Sequence, residues 1–240
     1  MTPLPIMSLD PGCTRLGHSR IVLHRDHLGG RFVYERGGHR ELDRGWLHAE
    51  LQQLRAEGGV FALEVLIGGR FKGRMTASLN ETAQMQGRIL DIAESAGWPM
   101  PPRDPLPRDE QRGQHMLLMP AGDGLVKRGK TRVQIHGWRG ELCHTSRPSD
   151  AAIRVVVESI VEGIPHLHHL VRPHVIDSIG LGVVAAHRFL GVPVQLTCAT
   201  EQALALQRMR DRAAPAEKQK RMYSRAMRQE MSERARARAR

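Results

Sequence analysis

The sequence predicts an α/β fold, and three observations predict it. An apolar run at the N-terminus (Pro5, Ile6, Met7, Leu9) reads as a buried strand that stops on Asp10 at a Pro11-Gly12 turn. Two further strand candidates, His18–Leu23 and Arg31–Glu35, follow on either side of the His27-Leu28-Gly29-Gly30 turn, so three consecutive antiparallel strands make a meander. Val60–Val65 is then apolar except for Glu64 and precedes a long helical pattern, as expected of a strand covered on both faces.

Taken in order, β-branched and apolar residues carry the meander to Gly37-Gly38, which is expected to close it. Leu42 to Arg55 reads as a helix with Leu47, Leu51 and Leu54 on one face, ended by Gly58-Gly59. The basic, glycine-rich loop Gly68–Arg74 offers Arg70, Lys72 and Arg74 to phosphates. A helix from about Met75 to Ala96 should bury Leu79, Ala83, Gln86, Leu90 and Ala93. Five prolines between Trp98 and Gln114 exclude a regular element there, so 99–114 is read as a surface connection or flap.

His115–Pro120 is a further strand. Ala121–Arg139 combines Lys127, Arg128, Lys130, Arg132 and Arg139 with four glycines, a second candidate surface for a phosphate backbone. Ser149 is a suitable N-cap for a helix over Ala151–Val161. The last helix starts near Pro173, with Ile176, Ile179, Val183, Ala186 and Leu190 as its buried stripe. His174 and Asp177, three apart, lie together on its first turn, away from that stripe. Residues 1–195 are expected to form one domain, and 196–240 a basic helical extension.

Composition narrows the class. The 240 residues carry a net charge of +11, of which 201–240 hold +7, and this favours a polyanionic partner such as nucleic acid. Aromatics at 4% argue against recognition by base-stacking platforms. The three cysteines are scattered, so no disulfide framework is expected and a reducing interior is. No run is apolar enough for a bilayer span, so no membrane partner is expected. A cytoplasmic or nucleoid-associated protein, of a cell or of a phage, is the expectation.

Asp10, Glu64, His174 and Asp177 are therefore the candidate chemistry. Oxygen ligands from separate elements are what phosphodiester hydrolysis with two hard cations, roughly 3.5–4 Å apart, requires. Asp150 sits where a helix cap belongs. His166, His168 and His169 fit no zinc spacing and read as a solvated loop.

In order and spacing, Ser8-Leu9-Asp10-Pro11-Gly12 with Gly17, Phe61-Ala62-Leu63-Glu64 and His174-Val175-Ile176-Asp177-Ser178 resemble the RuvC-type Holliday-junction resolvases of the RNase H-like superfamily. The resemblance spans most of residues 5–190. It implies a mixed five-stranded sheet, three strands antiparallel and two parallel, flanked by helices, in a homodimer. It further implies a metal-dependent endonuclease that nicks four-way DNA junctions at two symmetric points with two Mg²⁺ or Mn²⁺ ions per site. Asp10 would bridge the metals, Glu64 would hold the second metal and orient water, and Asp177 would close the set. His174 stands where many relatives carry Asp and some His, and a neutral imidazole favours Mn²⁺ over Mg²⁺. The aromatic expected soon after the strand Glu is absent, leaving Ile67 or Phe71. Two rival classes stay open: a non-catalytic nucleic-acid-binding module, and an actin-like phosphotransferase, which would need a second glycine-rich phosphate loop.

Overall fold

The computed structural model describes residues 2–12, 14–26, 29–66, 77–102, 105–128, 130–169 and 171–213, with the backbone alone of Asp26, Gly29, Lys127 and Arg128. Strands β1 (Leu4–Pro11), β2 (Leu16–Asp26) and β3 (Gly29–Arg40) form the antiparallel meander. On the other side of β1 lie β4 (Val60–Val65) and then β5 (Met116–Pro120), both parallel. The order β5-β4-β1-β2-β3 is the mixed, RNase H-like sheet that the resemblance implies. A sixth strand of two residues is added beyond β3, and β6 (Gly124–Arg128) and β7 (Thr131–Ile135) form a separate hairpin in the basic segment.

Helices α1 (Arg44–Ala56) and α2 (Ala77–Ser95) cover one face. Helices α3 (Trp138–Cys143), α4 (Asp150–Ile160) and α5 (Arg172–Leu190) cover the other, joined there by Leu204 of a helix over 198–213. The period of two along each strand decides which side chains meet which layer. Met7 and Leu9 of β1, like Phe61 and Leu63 of β4, face α1 and α2. Ile6 of β1, and Val60 and Ala62 of β4, face α5. Continuing that alternation puts Ser8 and Asp10, and likewise Glu64, on the α5 side. Since Leu9 pairs with Leu63, Asp10 and Glu64 end adjacent strands side by side.

Helix α1 forms as its sequence dictates. Asp43 caps it by accepting from the Trp46 amide, and Leu47, Leu51 and Leu54 are buried, each worth about 2 kcal/mol. Gly58 at φ +71° terminates it, with the Gly59 amide returning to the Leu54 carbonyl.

Three expectations are corrected. Gly37 and Gly38 do not close the meander but continue β3, opposite Ser19 and His18. A Cβ on Gly37 would stand 2.6 Å from the His18 carbonyl, so glycine serves close approach here rather than a turn. Helix α2 buries Gln86 and Ala93 as expected, but Met85, Ile89 and Ile92 in place of Leu79, Ala83 and Leu90, because it is this neighbouring row that packs on Phe61 and Leu63 of β4. Helix α5 is not amphipathic: Val175 to Ala186 are buried all round, since the sheet lies on one side and α3 and α4 on the other. Around the proline-rich segment, the buried Trp98 indole donates to the Leu51 carbonyl and buried Gln111 to the Leu106 carbonyl.

What seats α5 is a cluster of small residues. Gly182 leaves room for Ser8, whose Oγ a Cβ would meet at 2.9 Å, and Gly180 leaves room for Trp138 and Leu142. The Ser8 hydroxyl donates to the Ser178 carbonyl at 2.6 Å and shares a hydrogen bond with Ser19 at 2.9 Å. At Gly17 a Cβ would overlap the His174 backbone. Gly17→Ala should therefore lower stability by about 1–3 kcal/mol in urea unfolding. Gly87→Ala, on the open side of α2, should raise it by up to about 1 kcal/mol.

Candidate active site

Three elements converge at the ends of β1 and β4. Asp10 is the penultimate residue of β1 and Glu64 the penultimate residue of β4; because α5 begins at Arg172, His174 stands on its first turn and Asp177 on its second, not both on the first as expected. The Ser8–Ser178 bond lies two residues before Asp10 and one after Asp177, so it sets the distance between strand and helix at the site. His174 Nδ1 is 3.8 Å from the Asp10 carboxylate.

The electrostatics describe gathered negative charge. Burial pushes Glu64 up to about 8, and the neighbouring carboxylates Asp10 and Asp177 push the same way. Burial also lifts Asp177 to about 7 against the pull of Arg139. The Asp10 carboxylate raises His174 above the usual imidazole value, against burial. His39 of β3 stacks on His174, ring centroids 4.3 Å apart and planes within 8°, and burial together with His174 lowers its pKa.

Two further residues belong to the site. The Trp138 indole N–H donates to Glu64 Oε2 at 2.8 Å, and the Arg139 guanidinium donates to Asp177 Oδ2 at 2.5 Å and Asp150 Oδ1 at 3.1 Å. Both come from α3, which begins where Asp123 Oδ1 accepts the Gly137 amide and the Gly122 backbone crowds Gly137. Arg139 thus lies inward and not on the basic surface to which its neighbours assign it. The sequence signal available was small: a Gly-Trp-Arg-Gly step whose tryptophan is one of three in the chain. Asp150 is the first residue of α4, where Ser149 is the cap.

Of the other candidates, Lys130 and Arg132 are exposed at the β6–β7 hairpin. Lys127 and Arg128 lie in β6, with side chains outside the described residues, as are Arg70, Lys72, Arg74, Ile67 and Phe71 altogether. His166, His168 and His169 are exposed on the loop before α5.

The donor set fits hard divalent cations: three carboxylates and an imidazole around a place where burial alone penalises their charge. Among the described residues, no three of His, Cys, Asp and Glu are drawn together as an ion would need. Asp177 is held by Arg139 and Glu64 by Trp138, so gripping an ion requires these side chains to turn.

No family model matches the chain, and no curated protein sequence does. Among solved structures it is similar to Thermus thermophilus RuvC, at 14% identity and a TM-score of 0.48, over 80% of this chain and 100% of that one. It is likewise similar to T. thermophilus RuvC in complex with Holliday junction substrate, at 15% identity and a TM-score of 0.47, over 80% and 99% of the two chains. Such identities concern fold alone, and the fold rests on the strand order described above.

A carboxyl whose pKa is higher folded than unfolded binds more protons in the native state, so it costs stability as pH rises between the two values. For Glu64 that window runs from about 4.5 to about 8. In chelator, Glu64→Gln should match wild type near pH 4, gain on it progressively through this window and hold a constant advantage above it. Thermal melts across pH measure this, and a constant difference at all pH values would contradict it.

Proposed function

We propose that the chain is a metal-dependent endonuclease that nicks four-way DNA junctions at two symmetric points. The observation that carries this reading is the convergence of Asp10, Glu64 and Asp177, with His174, at one rim of an RNase H-like sheet. Carboxylates gathered in a buried place repel one another, at a cost that a bound cation relieves. Mg²⁺ or Mn²⁺, when bound, supplies a nucleophilic hydroxide near neutral pH and stabilises the charge that develops on the phosphate oxygens.

The chain's own groups do the rest. Asp10, paired with His174 and acting on Glu64, would be a ligand shared by the ions. Glu64, which burial pushes up to about 8, would be a ligand and would accept from water. Asp177 closes the set once Arg139 has left it. His174 would contribute a neutral donor, which leaves the site less negative than a fourth carboxylate would and favours Mn²⁺. His39, stacked on His174, fixes the plane of that ring.

The substrate reading uses the charge. A net +11, with exposed Lys130 and Arg132 on a hairpin leading into α3, suits a branched polyanion. Binding to phosphates releases counterions, so affinity should fall steeply with salt. A homodimer would present two equivalent sites to the two-fold symmetry of a four-way junction.

Incubation of labelled four-way junction, linear duplex, flap and single strand with Mg²⁺, Mn²⁺ or chelator tests the reading. Paired symmetric nicks in the junction are expected with metal and none in chelator. Asp10→Asn, Glu64→Gln and Asp177→Asn each remove several kcal/mol of charge stabilisation, so cleavage should fall roughly 10³-fold or more. Junction binding should persist in all three. Binding without cleavage by wild type under every metal condition would instead favour the non-catalytic nucleic-acid-binding module.

A further inference from the structure

We infer that Arg139 is a resident counter-cation of the site, displaced by an incoming divalent ion from Asp177 onto Asp150. The inference rests on the metal-dependent reading above and deepens it.

The arginine bridges inside to outside. One terminal nitrogen holds Asp177, whose side chain is 12% exposed, and the other holds Asp150, which is 80% exposed. The charges acting on its guanidinium are, in descending order, Asp177, Glu64, Asp150 and Asp10. One cation therefore faces all three proposed carboxylate ligands together with a fourth acid that lies at the solvent. Its Nε is buried with no partner among the described residues, so the inward seat leaves the fork unsatisfied there.

The backbone beneath it is fixed. Trp138 is fully buried, and the Arg139 amide donates to the Ala121 carbonyl at 3.3 Å. Only the side chain needs to move. A guanidinium and a divalent ion compete for the same Asp177 oxygen, and the guanidinium cannot yield by losing its proton. It has to leave, and Asp150 is the carboxylate already in its grasp. A pair at an exposed carboxylate is worth only about 0–1 kcal/mol, so the outward seat is shallow and the arginine returns when the metal departs.

Plain charge would also make Arg139 oppose, and Asp150 favour, a nearby cation. The two explanations separate in a double-mutant cycle, because independent fields add whereas an exchange does not. Uptake of Mn²⁺ by the full chain without DNA, read from the loss of the free-ion paramagnetic resonance signal, is the measurement. Arg139→Gln should bind Mn²⁺ about tenfold more tightly, a gain of about 1.4 kcal/mol. Asp150→Asn should bind it several-fold more weakly, since the arginine loses its outer seat and stays on Asp177. In the Arg139→Gln background, Asp150→Asn should have no further effect.

Should Arg139→Gln fail to fold, Arg139→Lys serves: its single ammonium cannot bridge both acids, so Asp150→Asn should then cost less than it does beside Arg. Unchanged or weaker Mn²⁺ binding in Arg139→Gln overturns the exchange. So does an Asp150→Asn effect of the same size in both backgrounds. If neither wild type nor Arg139→Gln takes up Mn²⁺ at millimolar concentration, the metal-dependent reading falls, and the exchange with it.

Discussion

The attraction between the Arg139 guanidinium and the carboxylates around it is the constraint on which the rest of this structure turns. Asp10, Glu64 and Asp177 are brought together by topology, and burial penalises the charge of Glu64 and Asp177. One positive charge cannot neutralise all of them, and the residual strain is visible in two carboxyls displaced upward to about 8 and about 7. The hydrogen bonds from Trp138 to Glu64 and from Arg139 to Asp177 offset part of that cost.

The convergence itself needs little apparatus. Parallel pairing of β1 with β4 sets two strand ends side by side, and the two-residue period turns Asp10 and Glu64 toward the same layer. Ser8 and Gly182 let α5 approach β1 closely enough for a direct hydroxyl-to-carbonyl bond, and this fixes the height of Asp177. Gly17 performs the same service for His174 on the neighbouring strand. Three small residues in the sheet and helix thus hold the site, while the large buried side chains on either face hold the sheet.

Much of this was legible in the sequence, for a physical reason. Asp10 and Glu64 each interrupt an apolar run near its end, and a charged residue in such a run is conspicuous because it is costly. The late pair His174 and Asp177 is marked by Pro173 at a helix start. The mixed five-stranded sheet, three strands antiparallel and two parallel, followed from the resemblance; its strand order, the short sixth strand and the β6–β7 hairpin come from the structure. Less legible were features governed by tertiary contact. Gly37 and Gly38 carry a turn's composition but answer to the carbonyl and imidazole of His18. The stripe of α2 keeps Gln86 and Ala93 but adds Met85, Ile89 and Ile92, which the packing on β4 selects. Arg139 lay among basic residues of a glycine-rich stretch, and nothing local distinguishes an arginine aimed at solvent from one aimed at an aspartate thirty-eight positions away.

The most direct measurement is anomalous diffraction from a crystal of the protein soaked in Mn²⁺. Anomalous density enclosed by Asp10, Glu64 and Asp177, with the Arg139 guanidinium turned away from Asp177 toward Asp150, is the expected result. Manganese found elsewhere, or Arg139 still seated on Asp177 with no anomalous signal among the three carboxylates, would contradict it.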